Sequence, residues 1–358
     1  MRYIGNKQKL IPFIRDALAE LRIKGSTACD PFAGTASVAR FLKTHGFSVT
    51  SGDIMAFSHA LQWAYVVVDQ PPRFAGLASV VEIDGDPLAA VLDHLNSREG
   101  EPGFIYEHFS PDGAAGAEHD RRYFTPENAA RIDALRGRIH EWTTASRIND
   151  DERFILLAAL LEAADRVANT TGVYAAYVKS WQPNATRPLH LRPPRLATGT
   201  GRACRAFRCD ALELVSGLEP FDLLYLDPPY NTRQYVGYYH IPEIIAEGWF
   251  LQTPTLRGKT GLPEDGNKRS DWSRRRHCET IFEQLVDAAR CRHILMSYNS
   301  EGIIAEDCIE RVLRERGLSR TYRRLEKPYK RYRSDRDSEN RRYKCDHVTE
   351  HLYYVTVS

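Results

Sequence analysis

An α/β fold, a parallel sheet broken by one large insertion, is what this 358-residue chain predicts. Three observations carry the expectation. The apolar run Phe221-Asp-Leu-Leu-Tyr-Leu226 has the length and composition of a buried strand, and it stops abruptly at Asp227-Pro228-Pro229-Tyr230. Strand and helix signals alternate before about Gln70 and again after Ala203. Between those points the alternation is interrupted.

Taken in order, Tyr3 to Leu21 opens with a Gly-Asn turn and continues with Leu10, Ile11, Phe13, Ile14, Leu18 and Leu21 at helical spacing. Ala28 to Ser37 reads as a strand end, a tight turn and a helix start, and the helix continues through Val38 to Lys43. Phe47 to Ser51 is a short strand that ends at Gly52-Asp53. In the interrupted region, Pro126 to Trp142 and Asp151 to Ala168 read as helices, the second apolar enough to be buried. The sheet resumes at Ala206 to Cys209. Beyond the turn after Phe221–Leu226 come a helix (Tyr238 to Gly248), a long loop (Thr253 to Arg276) and a helix (Thr280 to Ala289). A strand (His293 to Ser297), a helix (Ile303 to Arg316) and a final strand (Leu352 to Val357) close the pattern. Domain parts follow: 1–70, an inserted region 71–203, and 204–358.

Hydrophobic residues at 42% and charged residues at 27% fit a globular chain with a sizeable core. No run approaches the ~18 apolar residues of a membrane span, and the N-terminus lacks a signal-peptide core, so a cytoplasmic protein without membrane contact is expected. Seven cysteines at irregular spacings, with no Cys-x-x-Cys, argue against a disulfide framework and against a zinc site. Net charge is only +2, but Arg311 to Lys344 holds fourteen Lys/Arg against five Asp/Glu, which leaves the remainder of the chain at −7. With Tyr322, Tyr329, Tyr332 and Tyr343 interleaved, the segment predicts a polyanion-facing surface. The loop Thr253 to Arg276, with Arg257, Lys259, Lys268, Arg269, Arg274, Arg275 and Arg276, extends that expectation.

Ligands of open α/β sheets bind outside the carboxyl ends of the strands, where Asp227 stands. The two prolines remove N–H donors and fix φ, leaving a cluster of acceptors beside the flat ring of Tyr230. Such a cluster suits a planar base with an exocyclic amino group, two N–H donors and a face to stack. A strand closed by a plain proline turn is the bland alternative. Asp53 ends the second strand where a ribose-binding acid belongs. Gly34 stands alone where a dinucleotide fingerprint has two or three glycines, and Ala36 takes the second position. No pyrophosphate cradle is present, so a ligand without phosphates fits better. S-adenosyl-L-methionine is such a ligand.

The ordered set Tyr3-Ile-Gly-Asn-Lys7, Asp30-Pro-Phe-Ala-Gly34, Asp53, Asp210 and Asp227-Pro-Pro-Tyr230 resembles the D12 class of adenine-specific DNA methyltransferases, which includes the Dam methylases. The segments Leu161 to Gly172 and Asn231 to His240 look like the type II modification enzymes of that class. The resemblance spans nearly the whole chain. It implies a Rossmann-like methyltransferase sheet with helices on both faces, in which 71–203 is a target-recognition region. It also implies that Tyr3 and Lys7 touch the cofactor and that Asp30, Pro31, Phe32 and Gly34 wrap its methionine end. Asp53 would bind the ribose, Ile54 the adenine ring and Asp210 the adenine amino group. Asn169 to Tyr177 would lie near the target base. Asp227, Pro228, Pro229 and Tyr230 would be catalytic, with no metal.

The implied reaction is direct methyl transfer to N6 of a flipped adenine in double-stranded DNA, with a cognate restriction endonuclease as a further partner. Three alternatives remain open on the sequence: an RNA adenine methyltransferase, a DNA cytosine-N4 methyltransferase, and a DNA-binding module with a dead cofactor pocket. Asp227, where cytosine-N4 enzymes typically look like Ser-Pro-Pro-Tyr, weighs against the second.

Overall fold

The computed structural model describes residues 1–114, 119–264, 270–330 and 347–357. It divides into two compact units, each built from three stretches of chain. A helical unit takes Met1–Ile4, Met55–Gly199 and Tyr235–Lys268, and a sheet unit takes Gly5–Ile54, Thr200–Gln234 and Arg269–Ser358. In chain order the described strands are β1 (Thr27–Asp30), β2 (Ser48–Asp53), β3 (Arg205–Arg208), β4 (Phe221–Leu226), β5 (Leu256–Arg257), β6 (Leu262–Pro263), β7 (Cys291–Asn299), β8 (Arg323–Lys330) and β9 (His347–Thr356).

Seven of these form one sheet in the order β3-β2-β1-β4-β7-β9-β8. The first five run parallel. Burial on both faces explains their composition: Leu223, Leu224, Tyr225 and Leu226 of β4 are all nearly inaccessible, as are Ile294, Leu295 and Met296 of β7. The parallel sheet expected from the sequence is thus a mixed one, because β9 pairs antiparallel with β7 and β8 antiparallel with β9. Two antiparallel neighbours need no crossover helix, which is why the α/β alternation fails at the C-terminal end. Arg323–Lys330, read from sequence as part of a basic polyanion-facing block, is the edge strand of this sheet. Its charges and Pro328 are the features that discourage further strand pairing at an edge.

Helices Ile11–Glu20, Ser37–Thr44, Ala211–Ser216, Cys278–Ala288 and Glu306–Arg316 flank the sheet. Leu214, Val215, Phe282, Leu285, Val286, Val312 and Leu313 pack with Leu224, Ile294 and Val355 in one apolar cluster. The start of β4 is tied to the turn before β1 by Asp222, whose carboxylate accepts from Ser26 N and Thr27 N at 2.7 and 3.1 Å. A Cβ on Gly25 would stand 2.3 Å from that of Asp222, so only glycine fits there.

The helical unit centres on Pro126–Thr144 and Asp150–Val167, the two helices expected in the insertion. The second begins with a capping box: Asn149 accepts from Glu152 N, and Glu152 accepts from Asn149 N. Helices Ala56–Gln62, Pro87–Asn96 and Phe104–Phe109 were not anticipated, being short and embedded in Gly- and Pro-punctuated sequence. Two buried acids cap such segments. Glu243 accepts from Ala56 N and Phe57 N, and Asp133 from the N–H groups of Gly103, Ile105 and Tyr106. Helix Tyr235–Glu247 is kinked at Tyr239, ahead of Pro242. The long loop after it contains the β5–β6 hairpin and a 3-10 turn, Asp271–Ser273; Asp265, Lys268 and Arg269 of that loop lie outside the described residues. Among the described residues no helix is long and apolar enough to cross a membrane.

Candidate active site

Asp227 stands one residue beyond the carboxyl end of β4, half-buried, with Pro228 buried behind it. Its carboxylate does not act alone. The ammonium of Lys7, only 6% exposed, lies 3.2 Å from Asp227 Oδ1 and 3.2 Å from Glu350 Oε2. Burial pulls the Lys7 ammonium toward deprotonation, but the two carboxylates together outweigh it and hold the group firmly protonated. Burial pushes the Asp227 carboxyl up, Lys7 pulls it back and Glu350 pushes it up again, to about 6. At neutral pH Asp227 is therefore a carboxylate that keeps measurable proton affinity.

The turn behind this carboxylate is fixed from β7. The Tyr298 hydroxyl donates to the Pro229 carbonyl at 3.2 Å and accepts from Ile303 N and Ile304 N at 3.1 and 3.2 Å. Tyr230 is half-buried and packs against the apolar cluster of the sheet unit.

The same sheet edge carries the loop after β1. Asp30 is 1% exposed, and its carboxyl accepts from the backbone N–H groups of Phe32 and Ala39, yet Oδ1 has no partner among the described residues. Burial first, and then the neighbouring Asp227 and Asp53, push its carboxyl well above the usual carboxylate range. Asp53, at the end of β2, accepts from Gly34 N at 3.1 Å and so ties the loop to the next strand. Gly34 sits at φ 49° and Ala36 at φ 61°, both left-handed. At position 36 this left-handed turn is thus held by an alanine, at the steric cost of a Cβ in that region. Pro31 is buried, and the Phe32 ring meets Trp272 edge-on at 4.7 Å. The Ile54 carbonyl accepts from Arg208 Nε at 3.4 Å, and Asp210 caps the helix Ala211–Ser216 by accepting from Leu212 N at 2.8 Å.

The model of the D12 class N6 adenine-specific DNA methyltransferases matches residues 3–310 of this chain. The chain belongs to that class. Over 358 residues it is 34% identical to the Type II methyltransferase M.NlaIII of Neisseria lactamica, covering 99% of each. It is likewise 34% identical to the Type II methyltransferase M.FokI of Planomicrobium okeanokoites, of which it spans 52%, about half the length. It is 31% identical over 339 residues to the Type II methyltransferase M.CviAII of Paramecium bursaria Chlorella virus 1, covering 92% of each. The protein is a DNA adenine N6-methyltransferase, and the class implies a methyl donor of the adenosyl-methionine type.

Not every sequence-predicted residue of the methyltransferase falls in the sheet unit. Tyr3 belongs to the helical unit, where its ring stacks on Tyr239 at 4.8 Å and meets Tyr235 at 5.7 Å. The Asn169 side chain is buried in organising its own loop: it donates to the carbonyls of Arg122 and Val178 and accepts from Gln182 N. Among the described residues of the basic C-terminal segment, three arginines stand in ion pairs. Arg311 pairs with Glu283 and Glu315, Arg314 with Glu310, and Arg324 with Glu306 and Glu326. Tyr322 lies under the Arg314 guanidinium rather than open to a base. Residues 331–346, with Tyr332 and Tyr343, lie outside the described residues, as do the side chains of Tyr329 and Lys330.

Glu350, Tyr298 and Trp272 were missed in the sequence. Only Glu350 carried a signal, as an acid two residues ahead of the apolar closing run Leu352 to Val357.

Proposed function

We propose that this methyltransferase extrudes its target adenine from double-stranded DNA and methylates N6 directly from S-adenosyl-L-methionine, with Asp227 engaging the amino group. The donor set supports that cofactor. Asp30 Oδ1 is a buried acceptor without a partner among the described residues, Asp53 ends the neighbouring strand, and the strand ends carry carboxylates where a phosphate ligand would need donors. Asp30, Pro31, Phe32, Gly34, Asp53, Ile54 and Asp210 would hold it, with Lys7 as a further contact. When bound, the cofactor supplies a methyl group on a cationic sulfur.

The chain's own part is positional and electrostatic. The Asp227 carboxylate and the Pro228 carbonyl accept the two N–H bonds of the adenine amino group, returning electron density to a nitrogen whose lone pair is delocalised into the ring. Lys7 holds the carboxylate and Tyr298 holds the turn, so little reorganisation is needed as nitrogen becomes tetrahedral. A carboxyl titrating at about 6 is ionised before transfer and able to take the proton that N6 then releases. Tyr230 would stack on the extruded base. The region 71–203 is the part we assign to target recognition. A cognate restriction endonuclease and a cytoplasmic location complete the reading, supported by the likeness to a type II methyltransferase and a modification methylase and by DNA as substrate.

The observation that carries the proposal is the half-buried, Lys7-held carboxylate of Asp227 at the carboxyl end of β4. Asp227→Asn should lower the single-turnover methylation rate by about a hundredfold or more while DNA affinity changes little, since the lost interaction is made in the transition state. Methylation at the wild-type rate would remove Asp227 from the chemistry.

A further inference from the structure

We infer that Glu350 is a positioning residue of the methyl transfer: by sharing Lys7 with Asp227 it keeps the buried group of three at a net charge of minus one, where Asp227 and Lys7 alone would be neutral. The inference rests on the reading of Asp227 as the carboxylate that engages N6.

The topology makes the arrangement possible. Because β9 runs antiparallel to β7, its beginning lies at the edge where the parallel strands end, and Glu350 pairs in register with Asn299 near the end of β7. From there its Oε2 reaches the Lys7 ammonium at 3.2 Å, the same distance as Asp227 Oδ1 on the other side. The side chains of Lys7, Asp227 and Glu350 are 6%, 18% and 10% exposed, so solvent screens their mutual fields poorly. During transfer the N6–methyl bond forms, the sulfur–methyl bond breaks with sulfur keeping the electron pair, and N6 is cationic until its proton leaves. A neutral Asp227–Lys7 pair would present that cation with only a dipole. The second carboxylate leaves a full negative charge there while Lys7 still fixes the geometry of the first.

A purely structural role for Glu350 as a counter-ion of a buried lysine makes a different forecast. Asp227 is faced by Lys7, by Glu350, by Asp30 at the end of β1, by Tyr225 of its own strand and by Tyr298 of β7; Glu350 is further coupled to His351. Within that set Glu350 makes Asp227 harder to ionise. Neutralising Glu350 should therefore ease the ionisation of Asp227 and yet slow the reaction, a pairing of effects that mere loosening of the fold does not produce.

The test is the pH dependence of single-turnover methylation, read as N6-methyladenine formed in unmodified genomic DNA with S-adenosyl-L-methionine. For Glu350→Gln the acid limb should shift to lower pH than in the wild type, with a plateau rate about tenfold or more lower, the scale of one charged interaction lost at a reacting centre. A plateau within about twofold of wild type, or an acid limb unmoved or shifted upward, overturns the inference. The double variant Lys7→Gln with Glu350→Gln reports the same quantity if the single variant fails to fold, because it leaves no unpaired buried charge beyond Asp227 and keeps the site at minus one. It should methylate at least about tenfold faster than Asp227→Asn, and a rate as low as that of Asp227→Asn counts against charge balance. Asp227→Asn itself separates the two levels. If it is as fast as wild type, the reading of Asp227 fails; if it is slow while Glu350→Gln is fast, only the role of Glu350 fails.

Discussion

Replacing Lys7 by methionine, a side chain of similar length without charge, tests whether the ammonium tunes Asp227. The ammonium lies 3.2 Å from Asp227 Oδ1 and pulls against burial and Glu350 to leave the carboxyl at about 6. Loss of an adjacent cation typically raises a carboxyl by about 1–3 units, which would carry Asp227 to roughly 7–9. At pH 7.5 the ionised fraction would fall from about 97% to about 24% for a two-unit shift, a fourfold loss of rate from titration alone. Raising the pH to about 9.5 should recover that fraction, leaving whatever Lys7 contributes to geometry as the residual deficit.

Stability moves with the same sign. A carboxyl whose folded value is raised from 3.8 to about 6 contributes stability below the unfolded value and loses it as pH climbs through the folded one, about 3 kcal/mol for this interval. Without Lys7 that loss should deepen and extend to higher pH, so the melting temperature of Lys7→Met should fall further below wild type at pH 8 than at pH 5. The assay is rapid-quench methylation between pH 5.5 and 9.5 together with thermal melts at both ends. An acid limb that stays at about 6, or moves down, would refute the reasoning.

Two further outcomes follow from the proposed pocket. Asp53→Ala should weaken S-adenosyl-L-methionine binding by about 1–3 kcal/mol in calorimetry, the scale of a charged hydrogen bond left unmade, and unchanged affinity would remove Asp53 from the pocket. Tyr230→Ala should cost about 1–3 kcal/mol of specific DNA binding through lost base stacking while Tyr230→Phe costs little. A 2-aminopurine at the target position should then respond alike in wild type and Tyr230→Phe and differently in Tyr230→Ala; equal damage in both variants would transfer the role from ring to hydroxyl.

What the sequence made legible and what it hid divide along one physical line. Asp227, Asp30 and Asp53 could be placed because each stands at or just beyond the end of a strand, and strand ends in a parallel sheet share an edge. Lys7, too, lay in a readable motif, but its position between two carboxylates did not, since one of them arrives from the last strand of the chain. Glu350 reaches that edge only because β9 is antiparallel, and the direction of a strand is set by its partners rather than by its composition. The charge count was incomplete because ion pairs, too, join distant stretches of chain. It balanced Arg311 to Lys344 against acids inside the window, whereas Glu283 and Glu306, which meet Arg311 and Arg324, lie outside it. Tyr298 and Trp272 were silent because a tyrosine in a buried strand and a tryptophan in a loop are common; what distinguishes them is the Pro229 carbonyl after β4 and the ring of Phe32, both supplied by distant chain. Local sequence thus names the groups that would meet substrate, and tertiary structure decides their charge. For a reaction that places a cation at N6, that second decision would govern rate, which is why Glu350, brought to the site by the last strand of the chain, is the residue whose removal tells most about how the others work.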